Sequence, residues 1–455
     1  MPNDKTTKFV NPDYIPFDEN VALYRAYSDP SVNDIYLSPW TFTGWKDETM
    51  SWKKTCYLGA VLAPCLHAVI SGPDSVTFLK KYFVNGFEKF RVGSGRHGII
   101  CNNDGQIIGD GVMLRTDEQR FETFFISPAV DFCASKEQGK LDFTFENDSG
   151  KVFMFQLGGP RSLEIVENAC EEDLHDLKFM KFRTATIAGH KVRILRMGMA
   201  GTLSYEVHGH MEDAQDVYTK LYEVGKPYGI RRLGWQAYNY CNHTENGFPQ
   251  FYYHYAYPWH KDKEFCDWMG VPQEPAQVIK GSLKPEDQDL VYVTPYDNGW
   301  GSRVKFDHDF QGRAALEKAY EEQPRTTVTL EWNDEDVIDL FASLFRDVTY
   351  DTPDLPYYET VTSSDPLNAD EVRDAEGNLV GISTGRVYTY YYKKMISLCT
   401  LKKEYATEGT ELYITWGEIG HPQKKIRAKV ARLPYFNVDR NNSFDVEQVP
   451  HYKKQ

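Results

Sequence analysis

The sequence has no CxxC pair. Its eight cysteines stand singly at 56, 65, 101, 133, 170, 241, 266 and 399, a spacing that signals neither a disulfide framework nor a zinc ribbon and predicts reduced, mostly buried thiols. Long apolar runs are missing too. Nothing approaches the roughly 20 consecutive apolar residues that cross a bilayer, and the N-terminal MPNDKTTKFVNPDYIPF has no apolar core of signal-peptide length. A soluble, cytoplasmic protein without a membrane partner is therefore expected. Positive charge is scarce: 51 Lys and Arg face 66 Asp and Glu, for a formal net charge of −15. That balance opposes attraction to phosphate backbones and makes nucleic acid an unexpected partner. There is no internal repeat or low-complexity tract, and nothing in the chain sets an oligomeric state.

What is present is an ordinary globular composition over 455 residues, enough for two or three domains. Aromatics make 14% of the chain; most belong to a core, but their density between residues 235 and 259 points to more. Residues 51–135 alternate short strands and helices. An apolar run Leu66–Ile70 and the turn Ser71-Gly72-Pro73-Asp74 precede a helix from Ser75 to Tyr82, with Asp74 or Ser75 as its cap. His97–Cys101 and Gln106–Arg115 flank the turn Asn102-Asn103-Asp104-Gly105 as a β-hairpin. Residues 151–233 repeat this mixed pattern. Residues 249–285 lack periodicity and read as an insertion or lid, the acidic stretch Ser363–Gly377 reads as a solvated loop, and the segment from about Arg325 is strand-rich. The expected class is α+β: an N-terminal arm (1–40), a body (41–320) carrying the insertion, and a C-terminal β-barrel domain (321–455).

Some constellations point to little chemistry. His208 and His210 share one side of a strand but lack a third ligand, so exposed imidazoles and no metal are expected. Arg91–Arg96 has neither Walker spacing nor a dinucleotide fingerprint. Lys53 and Lys54 read as solvated.

Several patterns occur in an order that carries more weight than any one of them. They are ISGPD at 70–74, NDGQIIGD at 103–110, SYEV at 204–207, Leu233-Gly234 followed by ENG at 245–247, and DFQGRAAL at 309–316; VGISTG at 380–385 and GTEL at 409–412 lie downstream. Together they resemble the aminomethyltransferase superfamily of the glycine-cleavage system, over roughly residues 40–435. VTPYD at 293–297, VKFDHDF at 304–310 and LEWNDED at 330–336 look most like its tetrahydrofolate-dependent aryl O-demethylases, which act on vanillate and syringate. Departures from the parent pattern, with Leu62-Ala63-Pro64-Cys65 in place of a Ser-His pair and the Tyr240 region in place of an Arg, disfavour aminomethyl chemistry.

The resemblance implies an aminomethyltransferase-like folate-binding fold, tetrahydrofolate as cofactor, and methyl transfer from a methoxylated aromatic acid to its N5. A phenolate leaves poorly unless protonated, and a tyrosine, with a pKa near about 10, suits that task. The resemblance points to Tyr240 and Tyr24 for it, and to Tyr238 as a substrate contact for which packing is the plainer reading. Arg115 is the candidate for the substrate carboxylate; a surface ion pair with Asp117 or Glu118 is the alternative. Glu206, with Tyr205 beside it, falls where the superfamily holds the pterin edge, and Asp110 falls at its catalytic aspartate. Strand alternation sets Asp110 opposite Arg115, so both serve one site only if Gly109 and Gly111 bend the chain. Glu245 closes the folate pocket and Trp259 or Tyr257 stacks on a ring, unless these are core or lid. Two other functions fit the pattern: demethylation of a sulfonium or betaine donor held in a tyrosine cage, and a non-catalytic folate-binding regulatory role.

Overall fold

A computed structural model describes residues 9–10, 23–29, 34–275, 277–356 and 366–453, with side chains from Pro39 onward. The body is built on two mixed-chemistry sheets. One has five strands in the order Ser94–Cys101, Ile107–Asp117, Arg120–Phe124, His67–Ser71, Thr144–Asn147. The other has six: Phe182–Ile187, His190–Leu195, Ser204–His210, Val152–Gly158, Tyr57–Gly59, Arg231–Leu233. Helix Ser75–Tyr82 forms as expected and buries Phe78, Leu79 and Tyr82, whose spacing puts them on one face. Asp74 holds the N-cap position as expected, although its side chain makes no capping bond and instead accepts from Asp142 N at 2.8 Å.

The hairpin also forms, in the register Ile99↔Asp110 and His97↔Val112. Gly111 is obligatory there, since a Cβ would stand 2.1 Å from the Phe124 carbonyl oxygen. The glycines admit that close approach without turning Arg115 towards Asp110.

Past the body, six strands close into a barrel: Leu367–Arg373, Leu379–Thr389, Lys394–Lys402, Arg325–Trp332, Lys424–Ala431 and Glu411–Trp416, the last pairing back to the first. Its interior holds Leu330, Val372, Cys399, Ile414 and Ile426. Closure removes the exposed edges that an open sheet would present.

One local expectation is overturned and two gain detail. The acidic stretch is not wholly a loop, because Leu367–Arg373 is a buried barrel strand; Asp370 accepts from Ser282 N at 3.2 Å, and burial pushes its carboxyl up to about 7. Helix Asp334–Ala342 interrupts the strand-rich segment, capped by Asn333, whose side chain accepts from Asp336 N, with three acids in its first turn. The run 249–285 is only partly peripheral: Tyr253, Tyr255 and Tyr257 are buried, whereas helix Lys263–Met269, capped by Asp262, is mostly exposed. All eight cysteines are free and buried. Among the described residues no helix is long and apolar enough to cross a membrane.

Candidate active site

A cavity of about 1190 Å³ lies among the two body sheets, the 235–259 segment and residues 302–307. Single-ligand sites usually measure about 300–1,000 Å³, so there is room for more than one ring system. Two carboxylates, the half-buried Asp110 and the buried Glu206, face it from different sheets.

Asp110, on the hairpin strand, is held by three side chains. His97 Nε2 donates to Oδ2 at 2.8 Å, Tyr257 donates to Oδ1 at 2.6 Å, and Tyr255 donates to the same Oδ1. Burial would raise the carboxyl, but His97 and the two hydroxyls outweigh it and hold Asp110 below its ordinary value. His97 is depressed in turn, because burial disfavours the imidazolium more than Asp110 favours it. Its ring stands edge-on to Trp300 at 4.6 Å, and its Nδ1 has no hydrogen-bond partner among the described residues.

Glu206, on Ser204–His210, is fully buried. Gln156 Nε2 donates to Oε1 at 2.9 Å across the strand pair, and His208 Nε2 to Oε2 at 3.1 Å. Each carboxylate oxygen keeps a free lone pair. Gln156 Oε1 also faces this end, buried and without a partner among the described residues. An orphaned amide acceptor beside a half-used carboxylate fits a planar group that presents several N–H donors along one edge.

The family profile described as GCVT N-terminal domain matches residues 31–253. A sesamin methylene transferase of Sinomonas sp. is 40% identical over 428 residues, covering 90% of this chain and 93% of the relative. The chain belongs to the aminomethyltransferase (GCVT) family. A syringate O-demethylase of Sphingobium sp. is 31% identical, covering 90% of this chain and 92% of that protein. The solved glycine cleavage system aminomethyltransferase T from Bartonella henselae has the same fold, with a TM-score of 0.64 at 16% identity over 91% of this chain and 94% of that one.

Among the residues that the sequence singled out, Asp110, Glu206, Tyr238, Tyr257 and Trp259 line the cavity of this GCVT-family chain. Trp259 is fixed by Nε1 donating to Ile108 O at 2.7 Å, and Tyr257 stacks on Phe251 at 3.7 Å. Tyr238 is on a π-helix, Gln236–Asn242, and burial pushes its hydroxyl well up.

The other candidates lie elsewhere. Arg115 donates to Phe90 O and to Glu118 O and Oε2 at 2.6 to 2.8 Å, outside the cavity lining, so its surface-pair alternative is the one that forms. Tyr205 points to the opposite face of its strand from Glu206, into the core. Tyr240 packs between Trp40 at 5.8 Å and Tyr253 at 4.6 Å and does not line the cavity, although Trp235 touches both that cluster and the cavity. The backbone of Tyr24 pairs with Pro39, next to Trp40; its side chain lies outside the described residues. Glu245 is also off the cavity. It accepts from Lys53 Nζ at 2.6 Å, and the Lys53 side chain, expected in solvent, is 1% exposed and lies over Trp52. His208, expected to be exposed, is the buried partner of Glu206.

Several cavity residues escaped sequence reasoning. Five of the ten methionines line it, at 154, 180, 197, 199 and 269, an adaptable thioether wall suited to apolar rings of varied outline. Arg303 lines it as well. After the barrel the chain returns, and Arg440, Asn441 and Asn442 complete the wall, with Asn441 Nδ2 donating to Ser204 O at 3.0 Å. No spacing in the sequence announces that return. His97 had a signal: two residues before the partner of Asp110 on a hairpin strand, it is a diagonal same-face neighbour.

Proposed function

We propose that the protein is an enzyme that transfers a one-carbon group from an aryl methyl or methylene ether to tetrahydrofolate. The observation that carries this reading is Glu206 with its spare lone pairs beside the orphaned Gln156 Oε1, an arrangement that matches the 2-amino and N3 donors of a pterin. The two relatives, at 40% and 31% identity over nearly their full length, act on sesamin and syringate by name. The methoxylated aromatic acid expected from the sequence is one candidate donor; a sesamin-like methylene ether is the other, and the methionine wall suits its bulk.

Bound tetrahydrofolate supplies a nitrogen nucleophile for the one-carbon group. The protein's own residues do the rest. Glu206 and Gln156 hold the pterin edge, Asp110 stays ionised and fixed beside the reacting region, and Trp259 and Tyr257 flank flat rings. When the carbon–oxygen bond breaks, its electron pair stays on the aryl oxygen, which needs a proton. We assign that proton to Tyr238, whose ring faces the cavity, rather than to Tyr240 behind it. Burial raises the Tyr238 hydroxyl, and it raises a buried aryl oxide in the same way, so the transfer stays close to thermoneutral.

Incubation with tetrahydrofolate and a panel of vanillate, syringate, sesamin and a sulfonium donor tests the reading. The expected products are a one-carbon folate and a free phenol from at least one ether. One-carbon folate from the sulfonium donor alone, or from no donor, rejects it.

A further inference from the structure

Arg303 ends the turn Gly301–Arg303 and is held by its flanks: Trp300 N donates to Pro295 O at 2.7 Å, and Lys305 N donates to Val84 O at 2.8 Å. Its guanidinium carbon lies 5.7 Å from the Trp300 ring centre. Three arginines line the cavity, and two of them are satisfied by the protein. Arg96 Nη1 donates to Gly86 O, and Arg440 Nη1 donates to Asn246 Oδ1 at 2.5 Å. For Arg303 no acceptor is found among the described residues.

Asp110 attracts it through space but makes no hydrogen bond to it, because both Asp110 oxygens are engaged by His97, Tyr255 and Tyr257. Arg303 is thus half-buried on the cavity wall, with its fork turned to no protein acceptor among the described residues. The reasoning that singled out Arg115 from the sequence applies here instead, since Arg115 spends its donors on Phe90 and Glu118.

Resting on the reading of the cavity as a folate and aryl-ether site, we propose that Arg303 binds a carboxylate brought in by a ligand. A carboxylate matches the planar fork with two parallel hydrogen bonds. Two ligands of that reading carry one: the glutamyl tail of tetrahydrofolate and an aromatic acid.

The test is calorimetric binding by the full chain, in wild type, Arg303→Met and Arg303→Lys, of four probes: tetrahydrofolate, a tetrahydropterin lacking the benzoylglutamate tail, vanillate, and its methyl ester. Arg303→Met is expected to weaken a carboxylate-bearing probe by about 10- to 100-fold and leave its uncharged counterpart as in wild type. Arg303→Lys, which keeps the charge but not the fork, should recover part of the loss. A deficit confined to tetrahydrofolate assigns the site to the tail, and one confined to vanillate assigns it to the substrate. If Arg303→Met binds all four like wild type, or loses charged and uncharged members alike, the proposal is overturned; an unfolded Met variant leaves the decision to Arg303→Lys on the same criteria. Wild type that binds neither tetrahydrofolate nor vanillate overturns the site reading first and this inference with it, and that failure is visible before any variant is made.

Discussion

Asp110 and Glu206 both sit on strands facing the cavity and both lean on a neutral histidine, yet they differ in what is left over. Asp110 comes from the five-stranded sheet and receives three side-chain donors, one from the neighbouring strand and two from the 255–257 segment. Glu206 comes from the six-stranded sheet and receives two, from an adjacent strand and from two residues along its own. A carboxylate whose oxygens are largely filled is fixed in charge and direction; one with capacity to spare recognises. In the function proposed above, the same residue chemistry would serve placement on one side and binding on the other.

The largest effect should come from removing the recogniser. Glu206→Ala is expected to weaken tetrahydrofolate binding by about 10³-fold, the worth of two charge-assisted hydrogen bonds; equal affinity by calorimetry would dissolve the distinction. Asp110→Asn should do the reverse, lowering kcat by about 10²-fold in single-turnover assays while affinity stays within a few-fold. A matching loss of affinity would mean that both carboxylates bind.

Neutral histidines around the site carry an acid liability. Burial lowers His243 to about 4 and His254 to about 3, whereas the unfolded chain takes up each proton near about 6.5. Below that value the unfolded state binds more protons, so stability falls as pH drops from about 6.5 towards the folded values. At pH 5 each histidine should cost on the order of 2 kcal/mol. Urea midpoints identical at pH 7 and pH 5 would contradict this. The smallest expected effect is that of His97→Gln. It should slow turnover about tenfold and move the acid limb of the pH–rate profile upward, since the imidazole helps to hold Asp110 down. An unmoved limb would make His97 a packing residue.

Local periodicity and turn chemistry made the hairpin, helix Ser75–Tyr82 and the barrel strands readable, and with them Asp110 and Glu206, whose faces follow from alternation. The misplaced candidates share a cause: their direction depends on distant partners. Lys53 is buried only because Glu245 meets it from far along the chain. Arg115 has a backbone carbonyl and Glu118 within reach, which makes a substrate unnecessary. Tyr238 lines the cavity and Tyr240 packs against Trp40 and Tyr253; both sit on a π-helix, whose wider turn changes which residues share a face. Arg303 was invisible for the complementary reason, as nothing in its sequence neighbourhood says that it will go unpaired.

The returning segment Arg440–Asn442 has a consequence for how the protein comes into being. Asp110 and Glu206 leave the ribosome long before this last piece of wall exists, and Asn441 reaches back to the very strand that carries Glu206. A chain cut short within the barrel lacks this piece of wall and the bond from Asn441 to the Glu206 strand, and ligand that binds the completed chamber rewards the completed molecule with added stability.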